Sequence, residues 1–221
     1  MLKLVFYSGG DAKDNTSLDK RLLKLVEKKS PRIAFIPSCS YDSEMYFQDF
    51  VSQYRKYGVK KFLHFPIDVP FDAIMLNEVL KSDIIHLSGG NTFYFLFHLR
   101  KAKLLSKLKD FVKRGGILTG LSAGGILMTP DIATAGFPEF DRDDNDEGIK
   151  NLKSLKLVDF DFFPHYRNSK RYDQELLLHA RKSKRPLYAC PDGSGIILNR
   201  GSLEFVGKCY LFVGNKKIRL S

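Results

Sequence analysis

Short apolar runs alternate with longer amphipathic stretches along the first two thirds of the chain. The apolar runs are rich in β-branched and aromatic residues, which is typical of buried strands. They cover residues 2–7, 32–36, 60–65, 84–87, 116–119 and 157–162. The amphipathic stretches carry apolar residues at helical spacing and cover residues 17–27, 44–57, 72–81 and 92–114, the last with a break near Lys101. This alternation predicts an α/β fold with a mostly parallel central sheet and helices on both of its faces.

The last part of the chain has a different pattern, in which short apolar runs are separated by turn residues. These runs cover residues 187–191, 195–198, 203–206, 209–213 and 216–220. Their length and spacing favour antiparallel hairpins. We therefore expect a C-terminal β-hairpin extension, and because no linker or repeat divides the sequence, a single domain over residues 1–221.

Composition narrows the class of protein without naming a function. Hydrophobic content of 43% and charged content of 28% are ordinary for a globular protein. No apolar run approaches the roughly 18 residues that span a bilayer, and the apolar start is too short for a signal peptide. The three cysteines are far apart and lack metal-ligand spacing. These features predict a cytoplasmic protein without a membrane partner.

The net charge of +11 raises the question of nucleic-acid binding. Much of the excess lies within residues 100–114, where Leu104, Leu108 and Phe111 recur at helical spacing. The cations are then expected on the solvated face of an amphipathic helix. Because no nucleic-acid-binding motif accompanies the charge, a nucleic acid is not the expected partner.

Ser122 stands in the segment that carries the most chemical information. A glycine turn and a short apolar strand lead into Gly120-Leu121-Ser122-Ala123-Gly124, and an apolar run of helical character follows. This order is typical of a nucleophile elbow, a sharp strand-to-helix turn that exposes a serine hydroxyl. Glycines let the backbone turn tightly, and the start of a helix directs backbone N–H groups at a forming anion. The segment predicts acyl transfer through Ser122.

A serine nucleophile needs a base and an oxyanion hole. His165 follows the end of a predicted strand, where α/β sheets present functional loops, and is the expected base. His64 and His86 lie inside strand-like runs, and His98 and His179 lie in amphipathic helices. The segment Ser88-Gly89-Gly90-Asn91-Thr92 also follows a predicted strand and exposes backbone amides, so the amides of Gly90 and Ala123 are the expected oxyanion donors.

Together these segments resemble peptidase family S51, which includes aspartyl dipeptidase (peptidase E) and cyanophycinase. The resemblance rests on residues 88–93, 120–124 and 164–166, with further similarity at Ile36-Pro37-Ser38-Cys39-Ser40. It runs from the first strand to about Ser194. It implies a class I glutamine-amidotransferase-like fold, a Ser-His-acid centre and hydrolysis of small peptides, with Ser122 and His165 in the roles already given.

The acid of the centre is where the sequence departs from the resemblance. Aspartyl dipeptidase has an aspartate where this chain has Phe137, and a phenyl ring cannot accept the imidazole N–H. Glu139, two residues further on, is the first replacement. Asp141 and Asp144 follow, then Asp131, and an orienting water is a further alternative.

Substrate contacts are expected from Asn91 and from the cations Arg167 and Arg171, which follow His165 closely. A guanidinium pairs bidentately with a carboxylate, so these arginines would favour acidic residues or a C-terminal carboxylate. The acidic segment 141–148 lacks EF-hand spacing and is expected to be a solvated loop or a loop over the active site. No metal or organic cofactor is expected.

The sequence therefore predicts a serine-type exopeptidase, either a dipeptidase or a carboxypeptidase-like enzyme, acting on a small peptide as a monomer or homodimer. A related hydrolase acting on esters or β-linked aspartyl peptides is one alternative. The other is a family member that has lost its acid at Phe137 and with it catalysis, or a basic binding protein.

Overall fold

The computed structural model describes residues 2–221, which form eleven strands and seven α-helices. The strands are β1 (Lys3–Tyr7), β2 (Arg32–Ile36), β3 (Lys61–His64), β4 (Ile84–Leu87), β5 (Ile117–Leu121), β6 (Asp161–Phe163), β7 (Leu187–Ala189), β8 (Gly195–Asn199), β9 (Ser202–Val206), β10 (Tyr210–Val213) and β11 (Lys216–Arg219). The helices are α1 (Thr16–Leu25), α2 (Ser43–Arg55), α3 (Ala73–Leu80), α4 (Thr92–Lys101), α5 (Leu104–Lys113), α6 (Ala123–Leu127) and α7 (Lys170–Ser183).

The main sheet has seven strands in the order β3-β2-β4-β5-β1-β8-β9. Strands β1 to β5 pair in parallel, and β8 and β9 extend the sheet in antiparallel pairing beyond β1. The predicted α/β architecture with a mostly parallel sheet is confirmed. Because the parallel strands end at one edge, the loops that follow β1, β4 and β5 lie together there.

Helices cover both faces of this sheet, and the two faces are visible in the alternation of buried residues. On β1, Val5 and Tyr7 belong to a cluster with residues of α1 and α2, including Leu18 and Phe50. The intervening residues Leu4 and Phe6 belong to a larger cluster with α3, α4, α5 and α6. Such two-sided burial explains why the parallel strands are almost continuously apolar.

A second sheet has four strands in the order β11-β10-β7-β6. The predicted C-terminal β-hairpin extension is confirmed: β10 and β11 pair in antiparallel fashion, and β10 also pairs with β7. Strands β6 and β7 are parallel neighbours, with Phe163 beside Ala189. Helix α7 packs on this sheet through Tyr172, Leu176 and Ala180.

The structure corrects the bounds of one predicted strand and confirms one predicted helix break. Of the strand expected at residues 157–162, only the end is observed, in β6 (Asp161–Phe163), while Val158 and Phe160 are buried in the core as irregular chain. Phe160 packs against Phe6 with ring centroids 5.4 Å apart. The expected break near Lys101 is real: Lys103 has a left-handed φ of 54° between α4 and α5. Across residues 2–221, every helix is too short or too polar to cross a membrane.

Candidate active site

Ser122 lies at a sharp turn between β5 and α6. Its φ of 50° and ψ of −110° are strained for a residue with a side chain, and such strain typically costs about 1–3 kcal/mol. The turn is held in place because the Ser122 amide donates to the Tyr7 carbonyl at 2.9 Å and the Gly124 amide donates to the Ser88 carbonyl at 3.1 Å. The predicted nucleophile elbow is therefore present as local geometry.

The glycines of the elbow are required by close backbone contacts. A Cβ on Gly120 would collide with the carbonyl group of Gly124, and a Cβ on Gly124 would collide with the carbonyl of Leu87. Helix α6 can therefore start directly against the ends of β4 and β5 only because both positions lack a side chain. This contact fixes the position of Ser122 between them.

His165 follows β6 and is the histidine that reaches Ser122. Its Nε2 lies 2.8 Å from Ser122 Oγ. Its backbone is in the left-handed region, with φ 54°, and its amide donates to the hydroxyl of Ser8 at 2.7 Å. The Ser8 hydroxyl in turn donates to the carbonyl of Cys190 at 2.5 Å. Ser8 is fully buried at the end of β1 and thus ties the main sheet to the loops after β6 and β7.

Asp192 provides the carboxylate next to His165. Its Oδ1 lies 2.7 Å from His165 Nδ1, so a neutral imidazole donates from Nδ1 to Asp192 and accepts from the Ser122 hydroxyl at Nε2. The side chains of His165 and Asp192 are 47% and 55% exposed. The three side chains form a continuous Ser-His-Asp chain that is open to substrate and to solvent.

The expectation that Glu139 orients His165 is corrected by this geometry. Glu139 is 77% exposed and forms an ion pair with Arg142 at 2.8 Å. Phe137 stacks on Phe163 with ring centroids 5.9 Å apart, so its ring belongs to the core beneath the second sheet rather than to the centre.

The other acids considered from the sequence also have different roles. Asp131 pairs with Arg185 at 2.6 Å, and Asp141 accepts from the hydroxyl of Tyr172 at 2.6 Å. The carbonyl of Asp144 accepts from an amide side chain at the start of α4.

A signal for Asp192 was present in the sequence. Asp192 lies in the turn Pro191-Asp192-Gly193 directly after β7, just as His165 follows β6. Because β6 and β7 are parallel neighbours, their following loops lie side by side. The sequence pattern predicted antiparallel hairpins from residue 187 onward, so it did not predict that β7 pairs in parallel with β6.

The amides of Gly90 and Ala123 are the oxyanion donors expected from the sequence, and both are free of intramolecular acceptors among residues 2–221. Gly90 has a φ of 127°, and a Cβ built on Gly89 would lie 3.6 Å from the Ser122 Cβ, so the two loops are in contact. The role of these two amides as oxyanion donors stays a prediction.

The side chains expected to bind substrate are engaged elsewhere or exposed. Asn91 caps α4 by accepting from the Tyr94 amide at 2.9 Å, and it donates to the Asp144 carbonyl at 2.8 Å. The Arg171 guanidinium carbon lies 3.2 Å from the centroid of the Phe140 ring, and Arg167 is exposed.

The acidic loop 141–148 docks on the segment that follows Gly90. Besides the contact of Asp144 with Asn91, the Asp143 carboxylate accepts from the Thr92 amide at 2.8 Å. A carboxylate at the start of a helix interacts favourably with the helix dipole. The loop thus stabilises the start of α4 and the turn before it.

A cavity of about 1030 Å³ borders the Ser122 centre at Ser88, Gly89, Gly90 and Leu121. His86 lies on its wall, and complete burial lowers the pKa of His86 to about 3, so the imidazole is neutral. Behind the floor, Asp19 accepts hydrogen bonds from Tyr7, Tyr54 and Gln53 at 2.7–3.1 Å. Burial raises the pKa of Asp19, while these hydrogen bonds lower it.

Comparison with known proteins agrees with the resemblance drawn from the sequence. The family described as Peptidase family S51 matches residues 4–206. An uncharacterized peptidase, YgaJ, of Bacillus subtilis is 30% identical over 186 residues, which is 83% of this chain and 76% of that protein. A peptidase E of Nostoc sp. is 30% identical over 199 residues, covering 86% and 75%.

The fold is also similar to a solved structure. The crystal structure of a peptidase from an acI-B1 Actinobacterium has a TM-score of 0.77 at 18% identity and covers 100% of this chain and 94% of that one.

Proposed function

The chain belongs to peptidase family S51, and on that premise we propose that it is a serine-type exopeptidase that hydrolyses small peptides. In this proposal Ser122 is the nucleophile, His165 is the general base and Asp192 is the carboxylate that orients His165. The observation that carries the proposal is the chain of two hydrogen-bond contacts, 2.8 Å from Ser122 to His165 and 2.7 Å from His165 to Asp192.

The proposed reaction follows from the roles of these groups. His165 takes the hydroxyl proton at Nε2 while Ser122 Oγ attacks the peptide carbonyl, and Asp192 stabilises the imidazolium. The amides of Gly90 and Ala123 stabilise the tetrahedral oxyanion, and each donor of this kind contributes about 3 kcal/mol to the transition state. His165 then protonates the leaving amine, and water hydrolyses the acyl-enzyme with the same groups.

An intact Ser-His-Asp chain favours an active enzyme over a family member that has lost catalysis at Phe137. The missing acid was the basis of that alternative, and Asp192 removes it because its carboxylate contacts His165 Nδ1. The name peptidase E, given to the Nostoc relative, supports a peptide as the substrate.

The test is hydrolysis of short peptides with free or blocked termini, followed by mass spectrometry of the products. We expect release of a terminal residue or dipeptide, and the blocking group that abolishes release identifies the end that is recognised. Ser122→Ala is the matched control, since it removes one oxygen from the proposed centre. Product formation no faster than with Ser122→Ala, across all termini, contradicts the proposal.

A further inference from the structure

The deep part of the cavity beside Ser122 is formed largely by aromatic side chains, and polar residues line the rest of it. Its lining includes the deep residues Tyr7, Phe35, Phe50 and Tyr54 and, at the start of α2, Tyr46. The deep residues are 1–7% exposed, whereas Tyr46 is 59% exposed. A cavity with a rigid aromatic floor and a partly exposed aromatic side chain at its mouth is suited to a large apolar group.

The charges around the cavity do not favour an acidic group. Its lining contains no arginine among residues 2–221, and its two lysines, Lys13 and Lys56, are exposed. Three exposed aspartates line the same cavity: Asp11, Asp42 and Asp49. A carboxylate that entered the floor would lose its hydration without gaining a cation, and burial of an unpaired charge is strongly unfavourable.

The polar groups at the floor add no positive charge. His86 is neutral because burial lowers its pKa to about 3. The hydroxyls of Tyr7 and Tyr54 both lie against the Asp19 carboxyl, at 3.1 and 3.0 Å. The side chains at the floor that an entering group would contact are therefore neutral, and the Asp19 carboxyl lies behind them.

The cavity adjoins the proposed reaction centre at the loop after β4. Gly89 and Gly90 belong to its lining, and Gly89 lies against the Cβ of Ser122. The cavity therefore extends from the loop next to Ser122 to the aromatic residues at its floor. With about 1030 Å³, the cavity has room for a side chain and part of the adjoining backbone.

From these observations we infer that the cavity is the specificity subsite for a neutral aromatic or large aliphatic side chain on a residue flanking the scissile bond. This inference rests on the proposed function and replaces the acidic preference expected from Arg167 and Arg171. Neither arginine lines the cavity.

Binding is tested separately from catalysis by using Ser122→Ala protein and the thiol of Cys39 as a reporter. Cys39 lines the cavity and is partly exposed, while Cys190 and Cys209 are fully buried. The rate of Cys39 modification by an aromatic disulfide reagent is measured with Phe-Gly, Gly-Phe, Asp-Gly and Gly-Asp dipeptides present. The reagent exchanges with the thiolate, forming a mixed disulfide with Cys39 and releasing one aromatic thiolate.

We expect one phenylalanine dipeptide to slow the reaction at least about 5-fold, and both aspartate dipeptides to have little effect. Equal or stronger protection by an aspartate dipeptide, or no protection by any dipeptide, overturns the inference. If a phenylalanine dipeptide protects Cys39 but the wild-type enzyme hydrolyses none of the test peptides, the proposed function is overturned and the binding site for an apolar side chain stands.

The substrate preference of the wild-type enzyme gives a second readout. Tyr46→Ala should raise KM about 5-fold for phenylalanine peptides with kcat unchanged, because the ring contacts substrate equally in the ground and transition states. Leu178→Ala is the control, since Leu178 is a 55% exposed apolar residue on α7. Equal effects of the two variants, or faster turnover of aspartate than phenylalanine peptides, contradict the assignment.

Discussion

Replacement of Asp192 tests the corrected identity of the acid. Asp192→Ala removes the carboxylate that lies 2.7 Å from His165 Nδ1. A hydrogen bond to a charged group contributes about 1.5–3 kcal/mol, which corresponds to a factor of about 10 to 150 in rate. Loss of the acid in a buried triad costs about 10⁴ in kcat. Because the Asp192 side chain is 55% exposed, water can partly replace it. We therefore expect kcat/KM to fall about 100-fold.

The assay is kcat/KM on a cleaved peptide for wild type, Asp192→Ala and Glu139→Gln. Glu139→Gln is the matched control, because Glu139 is the acid first expected from the sequence and it pairs with Arg142 at 2.8 Å. We expect Glu139→Gln to retain activity within about 2-fold, as is usual for loss of an exposed ion pair. The assignment is refuted if Asp192→Ala keeps activity within about 3-fold of wild type, or if Glu139→Gln loses as much as Asp192→Ala.

Three further substitutions test the scaffold around the centre. Ser8→Ala removes the buried hydroxyl that accepts from the His165 amide at 2.7 Å and donates to the Cys190 carbonyl, so kcat should fall about 10-fold with KM little changed. Because two buried hydrogen bonds are lost, the melting temperature should also fall by several degrees, and an unchanged kcat in the folded variant would refute this positioning role. Gly124→Ala should prevent folding, seen as loss of soluble protein or of native circular dichroism, because its Cβ would meet a backbone carbonyl; Gly136→Ala has its nearest contact at 3.8 Å and should fold. Burial lowers the pKa of His86 from 6.5 to about 3, so the unfolded state binds more protons between these values and stability falls as pH drops below about 6.5. In urea titrations at pH 7 and pH 5, His86→Phe should lose less stability than wild type, and equal losses would contradict the linkage.

Much of the main sheet could be predicted because its strands are buried on both faces. The apolar runs at residues 32–36 and 84–87 coincide with β2 and β4, since in this architecture nearly every strand residue contacts a helix. The apolar run at residues 157–162 predicted a strand that starts too early, for a related reason. Its apolar residues fill the core as irregular chain, and hydrophobic pattern alone does not distinguish such a segment from a strand.

Ser122 and His165 could be predicted because each follows a strand end in a distinctive local sequence. Asp192 depends on a long-range relation: its contact with His165 exists because β6 and β7 pair in parallel, and that pairing has no local signature. The family resemblance implied an acid at the position of Phe137, whose ring packs on Phe163 beneath the second sheet. Pairing across the chain, rather than spacing along it, selects the acid.

The aromatic cavity could not be predicted from the sequence pattern of any single helix or strand. Its wall combines side chains from β1, β2, β4 and α2, for example Tyr7, Phe35, His86 and Phe50. The local sequence of each element predicts only that these residues are buried in the core. Only the packing of α2 against the strand ends leaves their rings around an open space next to Ser122.

The central claim is that Ser122 is a nucleophile activated by His165, and covalent labelling tests it without knowledge of the substrate. A fluorophosphonate forms a bond between its phosphorus and the serine oxygen and releases fluoride, which adds a fixed mass to the intact protein. The account predicts one adduct per chain, mapped to Ser122 by peptide mass spectrometry, absent in Ser122→Ala and formed much more slowly in His165→Ala. A wild-type protein that gains no adduct, or one that is labelled equally after Ser122→Ala, would contradict it.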